Sequence, residues 1–236
     1  MKIQEIGSRG IVFRFDDLST ENFECPTNVY VIKGEKYVYI CDTFLGPKSM
    51  AGVKEYLEKN QISKPIVLFN SHYDYDHYWG NCAFNSIMII GHKLCYDHII
   101  KKGEEDKETY KKYLRGEVII TPPNLLFRKE IKFIEDDITF FHSPGHTKDS
   151  SSSYDNKDKI LFVADNIEEP IPYIRSNLAG VKKYVATLER YLKMDFVKLI
   201  PGHGKISDKK SLQLNLDYLT TFPDLSEPVD VEKNGR

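Results

Sequence analysis

The segment His72-Tyr73-Asp74-Tyr75-Asp76-His77 packs two imidazoles and two carboxylates into six residues, directly after the apolar run Ile66-Val67-Leu68-Phe69. Imidazole and carboxylate suit borderline and hard divalent cations, so a tight loop carrying both types can serve one ion or bridge two close together. Histidines beside aspartates also occur on solvated turns, and this cluster alone does not separate the two readings. Recurrence of the same local setting does. Ile138 to Phe141 leads into Ser143-Pro144-Gly145-His146-Thr147, Ile160 to Val163 into Ala164-Asp165-Asn166, and Val197 to Ile200 into Pro201-Gly202-His203-Gly204. Each candidate ligand lies just beyond an apolar run, and neighbouring strands that end at one sheet edge bring such loops together. Glycines beside His146 and His203 let the backbone turn sharply and come close to an ion.

Seven candidates result: His72, Asp74, Asp76, His77, His146, Asp165 and His203. They are too many for one ion. Divided over two, with one carboxylate shared, they give each metal about four protein ligands and leave room for a bridging water, as in binuclear hydrolytic sites. His142 falls in a strand pattern, His98 in a helix and His92 at a strand-to-helix turn, and all three read as structural or surface residues.

The elements that must position these groups are visible as short β-branched or aromatic runs that end in polar or glycine-rich turns. Gly10 to Phe15, Val29 to Ile32, Tyr37 to Cys41, Ile66 to Phe69, Ile87 to Ile90, Ile131 to Ile134, Ile138 to Phe141, Ile160 to Val163 and Val197 to Ile200 predict strands. Helical patterns cover Pro47 to Asn60, Lys93 to Leu114, Asn177 to Met194 and Lys209 to Leu219. Leu178, Val181, Val185, Leu188 and Leu192 recur at helical spacing, an apolar face suited to covering a sheet. The Ser150 to Ser153 run with the following Tyr-Asp-Asn reads as a turn between strands, and residues from Pro223 onward as a loose tail. The class is α/β.

A chain of 236 residues with a formal net charge of −2 suits one large domain, and nothing in its charge distribution favours nucleic acid or a membrane surface as partner. A small-molecule or peptide substrate is the expectation. With no signal-peptide core and no run of about 20 apolar residues, the sequence reads as cytoplasmic. Cys25, Cys41, Cys82 and Cys95 lack CxxC spacing and sit beside apolar residues, which points to buried free thiols.

Taken in order, the four ligand motifs resemble those of the metallo-β-lactamase superfamily, together with an early signature in Asn28-Val29-Tyr30-Val31-Ile32 and Tyr39-Ile40-Cys41-Asp42-Thr43. The resemblance spans residues 10 to 206. It implies a four-layer αββα sandwich, here a single domain over residues 1–236, with two metals at one edge. One metal would take His72, residue 74 and His146, the other Asp76, His77 and His203, and Asp165 would bridge. A metal-bridging hydroxide would attack an ester, thioester, amide or phosphoester, with Asp76 as the catalytic residue that holds the nucleophile and shuttles its proton.

Asp74 departs from the pattern, because most hydrolytic members have His there. An anionic ligand lowers the charge of the site and hardens it, so zinc remains the first expectation while iron or manganese become plausible. The acidic residue also resembles the flavodiiron proteins, which makes a stand-alone diiron protein binding or reducing oxygen or nitric oxide the alternative. Against it, flavodiiron proteins usually carry Glu there, and no flavodoxin-like stretch follows residue 206. A noncatalytic scaffold, or an Asp74 that is no ligand, are further alternatives. Alternation along the loop predicts that Tyr73 and Tyr75 pack behind it, leaving Tyr78 and Trp79 to wall a substrate pocket, with a helical lid from the charged segment 93–116. The similarity to glyoxalase II is confined to the metal motifs, so a glutathione thioester is not expected.

Overall fold

In the computed structural model the described residues are 1–21, 24–84, 88–175 and 177–221. They form two mixed sheets packed face to face with helices outside. The first sheet contains β1 (Lys2–Ile6), β2 (Gly10–Phe15), β3 (Thr27–Lys33), β4 (Val38–Cys41), β5 (Ile66–Asn70), β6 (Met88–His92) and β7 (Leu125–Phe127), side by side in that order. The second runs β12 (Lys198–Pro201), β11 (Ile160–Ala164), β10 (Ser151–Asp155), β9 (Ile138–His142), β8 (Glu130–Phe133). The helices are α1 (Pro47–Lys59), the single turn α2 (Tyr75–Tyr78), α3 (Lys93–Thr109), α4 (Leu178–Leu192) and α5 (Lys209–Thr220).

The apolar runs explain the layering. Successive strand residues point to opposite faces, and a run without polar interruption must be covered on both. Tyr30, Ile32, Tyr39, Cys41, Val67 and Phe69 meet Phe140, Ile160, Phe162 and Ile200 between the sheets. Their neighbours Val29, Val31, Val38, Ile40 and Leu68 face outward onto Met50, Val53 and Leu57 of α1. On the far side Leu161, Val163 and Leu199 pack against Val181, Tyr184, Leu188 and Tyr191 of α4 and Leu212 and Leu216 of α5. The result is the αββα sandwich, and α4 covers the sheet as its spacing requires. Asn177 and Asp208 cap α4 and α5 by accepting from Gly180 N–H and Lys210 N–H.

Two expectations are corrected. The serine run is no turn: Ser151 to Asp155 is the fully buried central strand β10, paired antiparallel with β9 and β11. Its hydroxyls find partners inside, Ser152 Oγ on Tyr191 Oη at 2.6 Å and on Ser143 Oγ at 2.8 Å, Ser153 Oγ on Cys41 Sγ at 3.3 Å. Satisfied in this way, small polar side chains cost little to bury. The segment 93–116 is not one helix either; α3 stops at Thr109 and a 3₁₀ turn follows at Lys111–Tyr113. Strands β1 and β7 lie outside the runs that predict strands; β1 is an edge strand with four of its five residues exposed, too polar to stand out. All four cysteines are free, with Cys41 and Cys95 buried and Cys25 and Cys82 half-buried. Among the described residues no helix is long and apolar enough to cross a membrane. Ile87 and the tail from Pro223 lie outside the described residues.

Candidate metal centre

Strands β9 and β11 both run antiparallel to β10, and β12 is parallel to β11, so the C-terminal ends of β9, β11 and β12 share one edge. The end of β5 is tied there by Ser151 N–H donating to Ser71 O at 2.9 Å. All seven candidate ligands therefore converge. Asp165 Oδ2 lies at the centre, 3.6 Å from His72 Nε2, 3.3 Å from His77 Nε2, 3.7 Å from His146 Nε2 and 3.5 Å from His203 Nε2. Asp74 Oδ2 is 3.3 Å from both His72 Nε2 and His146 Nε2, while Asp76 Oδ2 is 3.2 Å from His203 Nε2 and 3.7 Å from His77 Nε2. Two groups with metal-binding spacing result, His72, Asp74, His146 and Asp165 on one side and Asp76, His77 and His203 on the other.

Supports behind the ligands fix their orientation. His77 Nδ1 donates to Asp42 Oδ2 at 2.7 Å. Ser71 Oγ donates to the same oxygen at 2.7 Å and accepts from His72 Nδ1 at 2.9 Å, so one buried carboxylate anchors both imidazoles. Protons on both Nδ1 atoms leave the Nε2 lone pairs facing the centre, the arrangement in which histidine binds metal. The Asn28 side chain donates to Pro201 O and Gly204 O and holds the His203 turn; Asn166 Oδ1 accepts from His146 N–H, and its amide donates to Ser143 O. A Cβ on Gly202 would stand 2.1 Å from Asp165 Oδ1, so only glycine lets that backbone pass beneath the shared carboxylate. Ala164, next to Asp165, holds a left-handed φ of 46° that a non-glycine residue adopts only at a cost, a strain typical of functional positions.

The electrostatics fit a cation. His72 Nε2, His77 Nε2 and Asp165 Oδ1 are buried without a hydrogen-bond partner, although buried polar atoms ordinarily have one. Although burial opposes it, Asp165, Asp76 and Asp42 hold the His77 imidazole well above its usual pKa, and Asp165 does the same to His203. Asp165, again against burial, is held well below the carboxylate range by His77 and His203. Protons on imidazoles facing carboxylates stand where a divalent ion would serve the same electrostatic need, and such an ion displaces them.

The cluster opens into a cleft of about 830 Å³. Its walls correct the expected pocket: Tyr78 and Trp79 are each only 1% exposed and pack with Cys95, Ile99 and Val118. Tyr73 and Tyr75 line the cleft instead, with Tyr110, Tyr113, Tyr173 and Leu18. The loop turns helical at Tyr75, so alternation does not continue past it: Asp76 and His77 both face the cluster, while Tyr78 and Trp79 turn into the core. The Tyr75 ring stacks on Tyr110 and Tyr113, with centroids 4.5 and 5.5 Å apart. His98, read as structural, reaches the cleft from α3, stacks on Tyr73 and pairs with Asp106. His92 and His142 stack on one another away from the cluster, as structural residues should. Asp42, Ser71 and Arg175 are the contributors that sequence reasoning assigned no role; Asp42 lay in the early signature, while Arg175, ion-paired to Asp74 at 2.7 Å, carries no motif.

Similarity to known proteins points the same way. The chain is 24% identical over 213 residues to the acyl-coenzyme A thioesterase MBLAC2 of Homo sapiens, covering 75% of this chain and 72% of that protein. The Bos taurus protein of the same name matches equally. Among solved structures, a metallo-β-lactamase from Pontibacter korlensis superposes with a TM-score of 0.72 at 18% identity, covering 93% of this chain and 98% of that one. One from Hirschia baltica gives a TM-score of 0.71 at 18% identity, with 93% and 97% covered. The family profile described as the metallo-beta-lactamase superfamily matches residues 22–203, and the chain belongs to that superfamily.

Proposed function

We propose that this protein is a two-metal hydrolase of small-molecule esters, with acyl thioesters the leading substrate class. The observation that carries the reading is the single oxygen Asp165 Oδ2, which lies 3.3 to 3.7 Å from imidazole Nε2 atoms of both ligand groups at the floor of an open, tyrosine-walled cleft. His72, Asp74 and His146 would hold one ion, Asp76, His77 and His203 the other, with Asp165 common to both; zinc suits the four imidazoles, and iron or manganese the three carboxylates. Bound there, the ions would supply a nucleophile at neutral pH and stabilise the charge that develops on the carbonyl oxygen.

The chain's own groups do the rest. Asp76 lines the cleft, and its Oδ2 is the atom at which the proton of an attacking water would be taken up and passed to the leaving group. His203, 3.2 Å away, keeps that carboxylate oriented. Against the effect of burial, His77 and His203 hold Asp76 below its usual pKa, which keeps it ionised and able to accept a hydrogen bond from a water, as a weaker base than an ordinary carboxylate. The stacked faces of Tyr75, Tyr110 and Tyr113 offer an apolar wall for an acyl chain and limit water on that side. The likeness to MBLAC2, an acyl-coenzyme A thioesterase by name, favours a thioester over an amide or phosphoester.

Asp74 favours a second reading, a stand-alone diiron protein binding or reducing oxygen or nitric oxide, because a third carboxylate hardens the site. A substrate screen separates the two. Metal-loaded wild-type protein is expected to hydrolyse acyl thioesters, and Asp76→Ala to lose turnover by about a thousandfold or more while folded. Wild-type rates in metal-loaded Asp76→Ala would remove Asp76 from the mechanism, and no hydrolysis of thioester, lactone or phosphodiester by the wild type would remove the hydrolase.

A further inference from the structure

Asp74 is not alone. Arg175 Nη1 lies 2.8 Å from Asp74 Oδ1 and 2.7 Å from Oδ2, while the same Oδ2 is 3.3 Å from His72 Nε2 and from His146 Nε2. One carboxylate is thus shared between a guanidinium at the cleft rim and two imidazoles of the first ligand group. Arg175 comes from the segment between Asp165 and α4, 101 residues away in sequence, and stands over the Tyr173 ring at 5.5 Å. Its side chain is 39% exposed, against 12% for Asp74, so the cation approaches from the solvent side and the carboxylate points inward.

We infer that Arg175 is the counter-charge that allows an aspartate to occupy position 74, and that Asp74 and Arg175 act together as one formally neutral ligand of the first ion. The inference rests on the reading that Asp74 holds that ion. Charge decides it. Three carboxylates around two divalent ions leave the centre one unit less positive than two carboxylates do, and the permanently charged guanidinium returns that unit. It also draws electron density from the carboxylate it pairs with, so Asp74 becomes a weaker donor than an unpaired aspartate. The expectation that Asp74 hardens the centre toward iron therefore omits half of the pair. With Arg175 in place, the net charge matches that of a histidine-rich site suited to zinc.

The test measures zinc affinity of the full chain by competition with a chromogenic chelator, and needs no turnover. Asp74→Asn first checks the underlying reading: one of two zinc ions should be lost or weakened at least tenfold, with the other little changed. Arg175→Gln then tests the inference. Removing a cation beside a divalent ion should tighten the first ion by about tenfold or more, an effect reduced by high salt because Arg175 is partly exposed. Arg175→Lys, which keeps the charge, should stay within about threefold of the wild type. If Asp74→Asn loses an ion but Arg175→Gln binds zinc unchanged or more weakly, the counter-charge role is wrong and the ligand role stands. If Asp74→Asn keeps both ions at full affinity, Asp74 is no ligand and the inference falls with it.

Discussion

The two halves of the cluster use the same residue types and are held differently. Behind the half of Asp76, His77 and His203 stand groups sealed from solvent: Asp42 on His77 Nδ1 and Thr27 Oγ1 3.2 Å from His203 Nδ1, both 1% exposed. In the half of His72, Asp74 and His146, the third donor faces an arginine at the rim, and His72 reaches Asp42 only through the Ser71 hydroxyl. Buried anchors make orientation costly to disturb, whereas a rim ion pair is open to solvent and salt. The half of Asp76, His77 and His203 thus has buried anchors behind its imidazoles, and the half of His72, Asp74 and His146 has one donor open to solvent and salt.

The largest effect should come from the residue the halves share. Asp165→Asn is expected to abolish binding of both ions and lower any hydrolysis by about a thousandfold or more, read from metal content per folded chain. Loss of a single ion would show that the halves do not depend on a common carboxylate. Next, Asp42→Asn and Ser71→Ala sharpen the asymmetry. Asp42→Asn should weaken the ion at His77 by about 10–100-fold, while Ser71→Ala should act chiefly on the ion at His72 and by less, measured as two separate affinities. Equal losses from both variants would erase the distinction drawn between the supports. Gly202→Ala tests packing below the cluster: with Asp165 Oδ1 2.1 Å from the new Cβ, we expect a stability loss of about 1–3 kcal/mol and reduced metal content, read by denaturant unfolding with and without zinc.

The smallest effect lies outside both halves and serves as their control. His92 caps α3, its Nδ1 accepting from Leu94 N–H and its Nε2 donating to Arg128 O. Burial, with the neighbouring His142 charge, pushes its pKa down to about 4. A histidine with a folded pKa below its unfolded one contributes stability above about pH 6.5 that is lost as pH falls toward 4. Between pH 7 and 5 the loss attributable to His92 should be about 1 kcal/mol once solvent screening of the site is included, and His92→Asn, which keeps a capping oxygen, should flatten that part of the stability profile. An unchanged slope in urea unfolding would show that another group governs it.

How much of this was legible in the sequence follows from the range of the forces involved. Strands with both faces apolar announce themselves, and because each ligand motif begins within two to five residues of the end of such a run, the motifs at His72, His146, Asp165 and His203 place the centre at a sheet edge from sequence alone. Ser151 to Asp155 hid as a turn because its polar residues are satisfied by Tyr191, Cys41 and Ser143, partners that local pattern does not contain. Tyr78 and Trp79 fall into the core because the backbone turns helical at Tyr75, a change that the local pattern does not announce. Arg175 was invisible for a plainer reason: its meaning depends on Asp74, which only the fold brings within 2.7 Å.

The account's central claim is a two-metal hydrolytic centre, and elemental analysis of protein purified without added metal tests it most directly. Two zinc ions per chain is the predicted result. Two irons with a visible oxo-bridged absorption, or fewer than one ion per folded chain, would contradict it.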